Sequence, residues 1–296
     1  MNRVNLKKKI IEAFSTMPAQ LQSAARYVLD NPQDAALLTM REQARHAGVQ
    51  PATMIRLAKH LGFDGYEEMR GIYADALRTG DLGFSAKAGP QFSDQRLKGH
   101  KALAADLIEV TANQIAALSA PESLARLDAL AKKLTEARRV FCLGLRSSHA
   151  IAWHFHYIIS LCGANSTYLE SAGGTGADAL ASAAPTDVLF AVSVSPYTRA
   201  TIDLAEYAAL RNIPVLAITD SEVAPLASLA ELAIIVSTDT PSFFHTMSPA
   251  FVAAEILGAL IAGRRGERAL DALRNAEDQF SALQIHLRPN NSRKPS

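Results

Sequence analysis

Two hydroxyl-rich loops and one basic helix face hold the residues of this sequence best suited to chemistry. Gly144, Leu145, Arg146, Ser147 and Ser148 follow an apolar, strand-like run and precede a helix-like one. A glycine lets the backbone turn tightly, hydroxyls follow it, and the amino end of a helix presents free N–H groups and a positive dipole. That set suits a phosphate or a carboxylate, and Arg146 adds a charge-assisted fork. A second loop, residues 193–198 (SVSPYT), clusters Ser193, Ser195, Tyr197 and Thr198 just before another helix start. Plain helix capping, by Ser147 or Ser148 in one loop and by Ser195 or Thr198 in the other, is the alternative in both. Two such loops at one sheet edge favour a ligand pocket over either loop alone. A third loop, residues 237–245 (STDTPSFFH), is placed to close the pocket and brings His245, although a lone loop histidine is more often solvated. Glu170 and Asp220 also lie just past strand ends, where either is placed to contact a ligand hydroxyl, although an ordinary turn role is the simpler one.

The basic face belongs to residues 40–61 (MREQARHAGVQPATMIRLAKHL), which read as two short helices joined at Gly48. Pro51 suits a first helical turn, and Gly62 stops the second helix. Met54, Leu57, Ala58 and Leu61 face inward at helical spacing. Gln50, Thr53, Arg56, Lys59 and His60 are left outward, with Arg45 on the first helix. No acid occurs between Glu42 and Asp64. A compact helix pair with a basic, hydrogen-bonding second helix fits a DNA major groove; a surface helical hairpin is the plainer alternative.

The elements that position these residues fall into two units. Residues 1–78 carry helical periodicity throughout, with breaks at Asn31-Pro32 and residues 62–66, where Asp64 is placed to cap the next helix. Residues 79–98 hold three glycines and a proline without a periodic face, and read as a linker. Residues 99–287 begin with two helices (100–118 and 121–137), the first with an apolar stripe that suits a partner subunit. Strand-like runs at 139–143, 165–169, 188–194, 215–219 and 232–236 then alternate with helix-like ones at 148–161, 176–183 and 198–211. Ser248 caps a further helix, and a last one covers 267–287. Residues 288–296 form a polar tail expected to be disordered. The fold class is therefore an all-α helix-turn-helix domain followed by an α/β domain of flavodoxin-like or Rossmann-like type. Its five-stranded parallel sheet carries helices on both faces.

Composition narrows the function classes. The net charge is +1, divided as +3 over residues 1–79 and −2 over the remainder, a bias too mild to establish a nucleic-acid partner. No run of ~20 uncharged apolar residues occurs, and no apolar run of signal length follows the charged start. Cys142 and Cys162 give neither a disulfide framework nor metal-ligand spacing. A soluble, cytoplasmic chain without metal, cofactor or membrane partner is expected.

With these residues in view, the chain resembles the RpiR family of bacterial transcription regulators over about residues 6–283. Residues 51–66 (PATMIRLAKHLGFDGY) resemble the family's recognition helix and the run after it. The alternating half resembles a sugar isomerase (SIS) domain, where hydroxyl loops like those at Ser148 and at residues 193–198 hold the phosphate of a phosphosugar. Arg146 and Pro196 stand where that domain's loops usually carry glycine, so a sugar acid or another small anion is also admitted as effector. Gln50 replaces the usual Ser or Thr cap and is free to read a base. The resemblance implies a homodimer or homotetramer, effector-controlled DNA binding and an inverted-repeat operator, with Arg45 on the backbone, Arg56 and Lys59 on phosphates or guanine edges, and Gln50 and Thr53 on bases. A repressor is favoured, although an activator also fits. No catalytic residue is assigned. The rival reading is a sugar-phosphate isomerase with a helical appendage, for which Glu170 or His245 would have to act as general base.

Overall fold

The computed structural model describes residues 3–78, 84–169 and 175–287. Glu170, residues 79–83 of the expected linker and the tail 288–296 lie outside the described residues.

The first unit consists of α1 (Arg3–Phe14), α2 (Ala19–Asp30), α3 (Pro32–Leu37), α4 (Met40–His46), α5 (Pro51–His60) and α6 (Tyr66–Arg78). Apolar residues at helical spacing supply its core, including Leu6, Ile10, Leu21, Val28, Met54, Leu57 and Tyr73. A capping box opens α4: Thr39 Oγ1 accepts from the Glu42 N–H, and the Glu42 carboxylate accepts from the Thr39 N–H. Hydrogen bonds donated by the Thr39 N–H and by the Thr39 hydroxyl hold the Glu42 carboxyl below its ordinary pKa. Gly48, at φ +66°, adopts the left-handed backbone that turns the chain from α4 into α5. Inside the unit the Gln43 side chain is fully buried, and its Nε2 donates to the Leu38 and Ala35 carbonyls at 2.9 and 3.2 Å.

The second unit continues with α7 (Phe84–Lys98), α8 (His100–Ala116), α9 (Pro121–Glu136), β1 (Val140–Gly144), α10 (His149–Leu161) and β2 (Ser166–Tyr168). It is completed by β3 (Val188–Val192), α11 (Arg199–Leu210), β4 (Val215–Thr219), α12 (Pro225–Leu229), β5 (Leu232–Ile235), α13 (Ser248–Arg265) and α14 (Glu267–Ala282). The strand order is β2-β1-β3-β4-β5, all parallel, with Val140 opposite Val188 and Gly144 opposite Val192. Strand residues alternate between faces. Val140, Cys142, Phe190 and Ile218 pack under α9, α10 and α13. Phe141, Leu143, Leu189 and Ala217 pack against α11 and α12. This is the expected parallel sheet with two helical layers. Burial pushes the Cys142 thiol far up, which suits an inert core thiol.

At the amino ends of β1 and β3, the fully buried Asp187 carboxylate receives Arg138 Nε and Nη2 at 2.8 and 2.6 Å and the Ala184 N–H at 2.8 Å. Burial pushes this carboxyl up, but the Arg138 and Ala184 hydrogen bonds prevail and hold it below its usual range.

Several local expectations are corrected. Residues 84–98 of the expected linker form α7 despite an internal Pro90, because Phe84 and Gln91 dock on the second unit. Only a 3-10 segment, Asp178–Ser182, occupies the helix expected at 176–183. Met247, not Ser248, holds the cap position of α13. The Asp64 N–H is bonded by the Glu68 carboxylate.

Candidate effector pocket and nucleic-acid interface

The connection leaving β1 runs to α10 on one face of the sheet, and the connection leaving β3 runs to α11 on the other. The chain therefore diverges between these neighbouring strands, and such a switch point opens a crevice at their carboxyl ends. Both hydroxyl loops begin at the carboxyl ends of these two strands.

In the first loop Gly144 is the residue the geometry requires. A Cβ there would lie 2.4 Å from the Ser148 carbonyl oxygen and 2.8 Å from the Ala152 Cβ. The chain then passes through Arg146 at φ +55°, a left-handed conformation that costs a non-glycine residue free energy. Arg146 is exposed and Ser148 buried. The Ser147 hydroxyl lies 2.9 Å from His245 Nε2. Ser148 occupies the cap position of α10 without a side-chain cap hydrogen bond.

In the second loop Ser193 is buried and its carbonyl accepts from the Thr219 hydroxyl at 2.7 Å. Ser195 and Thr198 are half-buried, and Thr198 caps α11 by position only, again without a side-chain bond. Tyr197 is half-buried with its hydroxyl in reach of Asp220. Burial, followed by the Asp220 charge and hydrogen bond, pushes the Tyr197 hydroxyl far above its usual range, so it remains protonated. Asp220 Oδ1 is buried without a hydrogen-bond partner. Sequence reasoning ranked a turn role for Asp220 above contact with a ligand hydroxyl. It missed Asp30 altogether, the last residue of α2, whose carboxyl is raised to about 7 by burial and by Asp220, against the opposing pull of Arg26 and Lys7.

The third loop closes over the first. His245 is buried and its ring stacks on Phe244 with centroids 4.3 Å apart. Desolvation, then the Lys87 charge, lowers its pKa against the opposing pull of Asp220, so the imidazole is neutral near pH 7. The structure thus brings Gly144, Ser147 and His245 together, and places Tyr197 with Asp220.

On the helix pair, Arg45, Gln50, Arg56, Lys59 and His60 are all exposed, as expected. Thr53 is not: it is buried at 6% exposure. It lies one turn before Leu57 and beside Met54, on the inner edge of α5, and so leaves the outward set. Ile55 takes a place there at 38% exposure, a position that suits contact with a thymine methyl. Pattern reading passed over it because an apolar residue on a basic face looks like stray core.

Among the described residues no helix is long and apolar enough to cross a membrane, and no group of three His, Cys, Asp or Glu side chains is placed to hold a metal ion.

Residues 4–79 match the helix-turn-helix domain of the rpiR family, and residues 133–260 match the SIS domain. An uncharacterized HTH-type transcriptional regulator of Caldanaerobacter subterraneus is 24% identical over 290 residues, covering 94% of this chain and 97% of that protein. The sugar isomerase domain of an RpiR transcription factor from Sphaerobacter thermophilus is 28% identical, with a TM-score of 0.53, over 62% of this chain and 99% of that one. The Vibrio vulnificus NanR protein, solved in complex with ManNAc-6P, is 21% identical with a TM-score of 0.54, over 95% of this chain and all of that one. The matched segments coincide with the helical unit that displays the basic α5 and with the sheet that holds the hydroxyl loops, so the chain joins a helix-turn-helix domain of the rpiR family to a SIS domain.

Proposed function

We propose that this regulator binds an inverted-repeat operator through α5 and that a small anion bound between the Gly144 and Ser193 loops sets its operator affinity. The observation that carries the reading is the juxtaposition at the switch point of β1 and β3. The glycine-framed loop that ends at Ser148 and the loop from Ser193 to Thr198 leave neighbouring strands, and each leads into a helix whose cap residue makes no side-chain cap bond. The ligand class is a phosphosugar or a sugar acid, with the anionic group at Ser147, Ser148, Ser195 and Thr198. The sugar hydroxyls meet Tyr197, and Arg146 is free to pair with a second charge. That NanR was solved with a phosphosugar supports the class.

On the DNA side, Arg56 and Lys59 contact phosphates or guanine edges, Gln50 reads a base, and Arg45 and His60 hold the backbone. A twofold assembly spaces two such helices along the operator. The 17-residue α8 buries no side chain of its own and leaves Ile108 71% exposed, which supports a second copy packing there. The chain acts in the cytoplasm, as a repressor, and turns over no substrate. The ligand controls binding only through its unequal affinity for the two arrangements of the assembly.

A mobility-shift assay at stated salt on DNA upstream of the protein's own gene, with a library of phosphosugars and sugar acids, tests the proposal. A specific shift that Arg56→Ala abolishes and one ligand alters supports it. A salt-sensitive smear indifferent to sequence and to Arg56 refutes it.

A further inference from the structure

Among the described residues, the helix that follows the DNA-binding unit is held by side chains at its start and its middle. α7 is mostly exposed, including Phe92 and Leu97, and it contains Gly89 and Pro90, both poor helix formers. What seats it is the loop 237–245. Phe84 stacks on Phe244 with ring centroids 5.2 Å apart and reaches the His245 ring at 6.2 Å. Gln91 Oε1 accepts from the Phe243 N–H at 2.8 Å. The start of the same loop is held from α8, where Gln114 Nε2 donates to Ser237 Oγ at 3.0 Å and to the Asp239 carbonyl at 2.6 Å. Its far end is held by the 2.9 Å hydrogen bond between His245 and Ser147. His245 therefore belongs to two structures at once. Its ring extends the aromatic stack that seats α7, and its Nε2 engages a hydroxyl of the anion loop.

We propose that α7 is a strap whose closure depends on Ser147: His245 holds loop 237–245 under α7 through the Ser147 hydroxyl, and an anion that takes that hydroxyl releases the helix. The inference rests on the reading of the Gly144–Ser148 loop as the effector's anion site, and it names His245 as the positioning residue that links this site to the segment leading into the DNA-binding unit. No new bond to the DNA is needed. The competition requires the neutral tautomer with its proton on Nδ1: Nε2 then accepts the Ser147 O–H, the one proton an anion would also take, and once it is taken the loop loses its inner anchor and α7 loses the stack that seats it.

Trypsin cleavage at Lys87, an exposed residue of α7, reads the strap in the full-length protein. The Phe84→Ala/Gln91→Ala double variant sets the rate for a released helix. Without ligand, Ser147→Ala and His245→Phe should both be cut at Lys87 about tenfold faster than wild type, with cleavage at Arg126 in α9 and at Arg264 in α13 unchanged. His245→Phe keeps a ring under Phe244 and loses only the bond, so its rate separates the bond from the stacking. Equal rates in wild type, Ser147→Ala and His245→Phe overturn the strap. In a second arm, glucose 6-phosphate, N-acetylmannosamine 6-phosphate and inorganic phosphate are the probes. One that binds wild type by calorimetry should raise its Lys87 cleavage toward the released rate, and leave that of Ser147→Ala where it was. A probe that binds without changing cleavage also overturns the strap. Released helices in both variants with no probe binding overturn the effector reading instead, and with it the ligand's part in the release.

Discussion

Tyr66 and Gln43 meet inside the core of the first unit, the tyrosine hydroxyl donating to the side-chain carbonyl of the glutamine. The Gln43 amide spends its own donors on the Ala35 and Leu38 carbonyls, so one buried side chain ties α3, α4 and α6 together. Leucine at position 43 would fill the space and leave a hydroxyl and two carbonyls without this partner. Gln43→Leu is expected to destabilise the unit by about 2–4 kcal/mol. Hydrogen exchange of amides in α4 and α6 measures the loss.

The exposed cations of α5 make a different kind of prediction. Arg56→Ala leaves the core untouched, so the melting temperature should hold. Operator affinity should fall by about 1–3 kcal/mol, and the slope of log affinity against log salt should shrink by about 1 if Arg56 rests on a phosphate. Thr53→Ser, at a buried position, should leave base preference unchanged. Binding titrations at three salt concentrations, on the operator and on base-substituted versions of it, check the affinity, the slope and the base preference, and a melting curve checks the stability.

Asp30 gives the pH dependence. Its folded-state value of about 7 lies above the ordinary 3.8, so the folded protein holds this proton more tightly than the unfolded chain. Its contribution to stability is present in full below the ordinary value and is lost as pH rises through about 7. Asp30→Asn should therefore melt higher than wild type at pH 8, with a smaller gap at pH 4, by about 2–4 °C for each kcal/mol removed. Melting curves at pH 4, 6 and 8 decide it; a gap that grows toward acid pH contradicts the assignment.

Gly144 tests the pocket from within. Alanine there would drive a methyl group against the Ser148 carbonyl and Ala152, both at the start of α10. Gly144→Ala should cost about 1–3 kcal/mol through overpacking and abolish ligand binding while leaving operator binding in place. Calorimetry against mobility shift separates the two.

Much of this architecture could be read from the chain because it is written in period. Met54, Leu57, Ala58 and Leu61 mark one side of a helix, and the uninterrupted apolar runs at β1, β3 and β4 mark strands buried on both faces. What escaped was set by contacts between distant residues. Residues 84–98 have glycine and proline composition and no stripe, and they are helical because Phe84 and Gln91 find partners more than 150 residues away. Thr53 was misplaced because side-chain type was weighed above its position beside Leu57. Of the pocket, the loops were legible as hydroxyls after a strand. The left-handed Arg146, the Ser147–His245 bond and the approach of Asp30 to Asp220 were not, since no local pattern encodes them.

The buried side chains between Leu6 and Tyr73 form one cluster, and those from Leu118 onward form two others, with no member in common. Such a division lets mutation explore each half on its own. On the proposed reading, substitutions in α5 would change the operator without repacking the sheet, and substitutions in the loops would change the effector without repacking the helical unit. A recombination event falling between the halves would hand an existing sensor a new set of genes to govern.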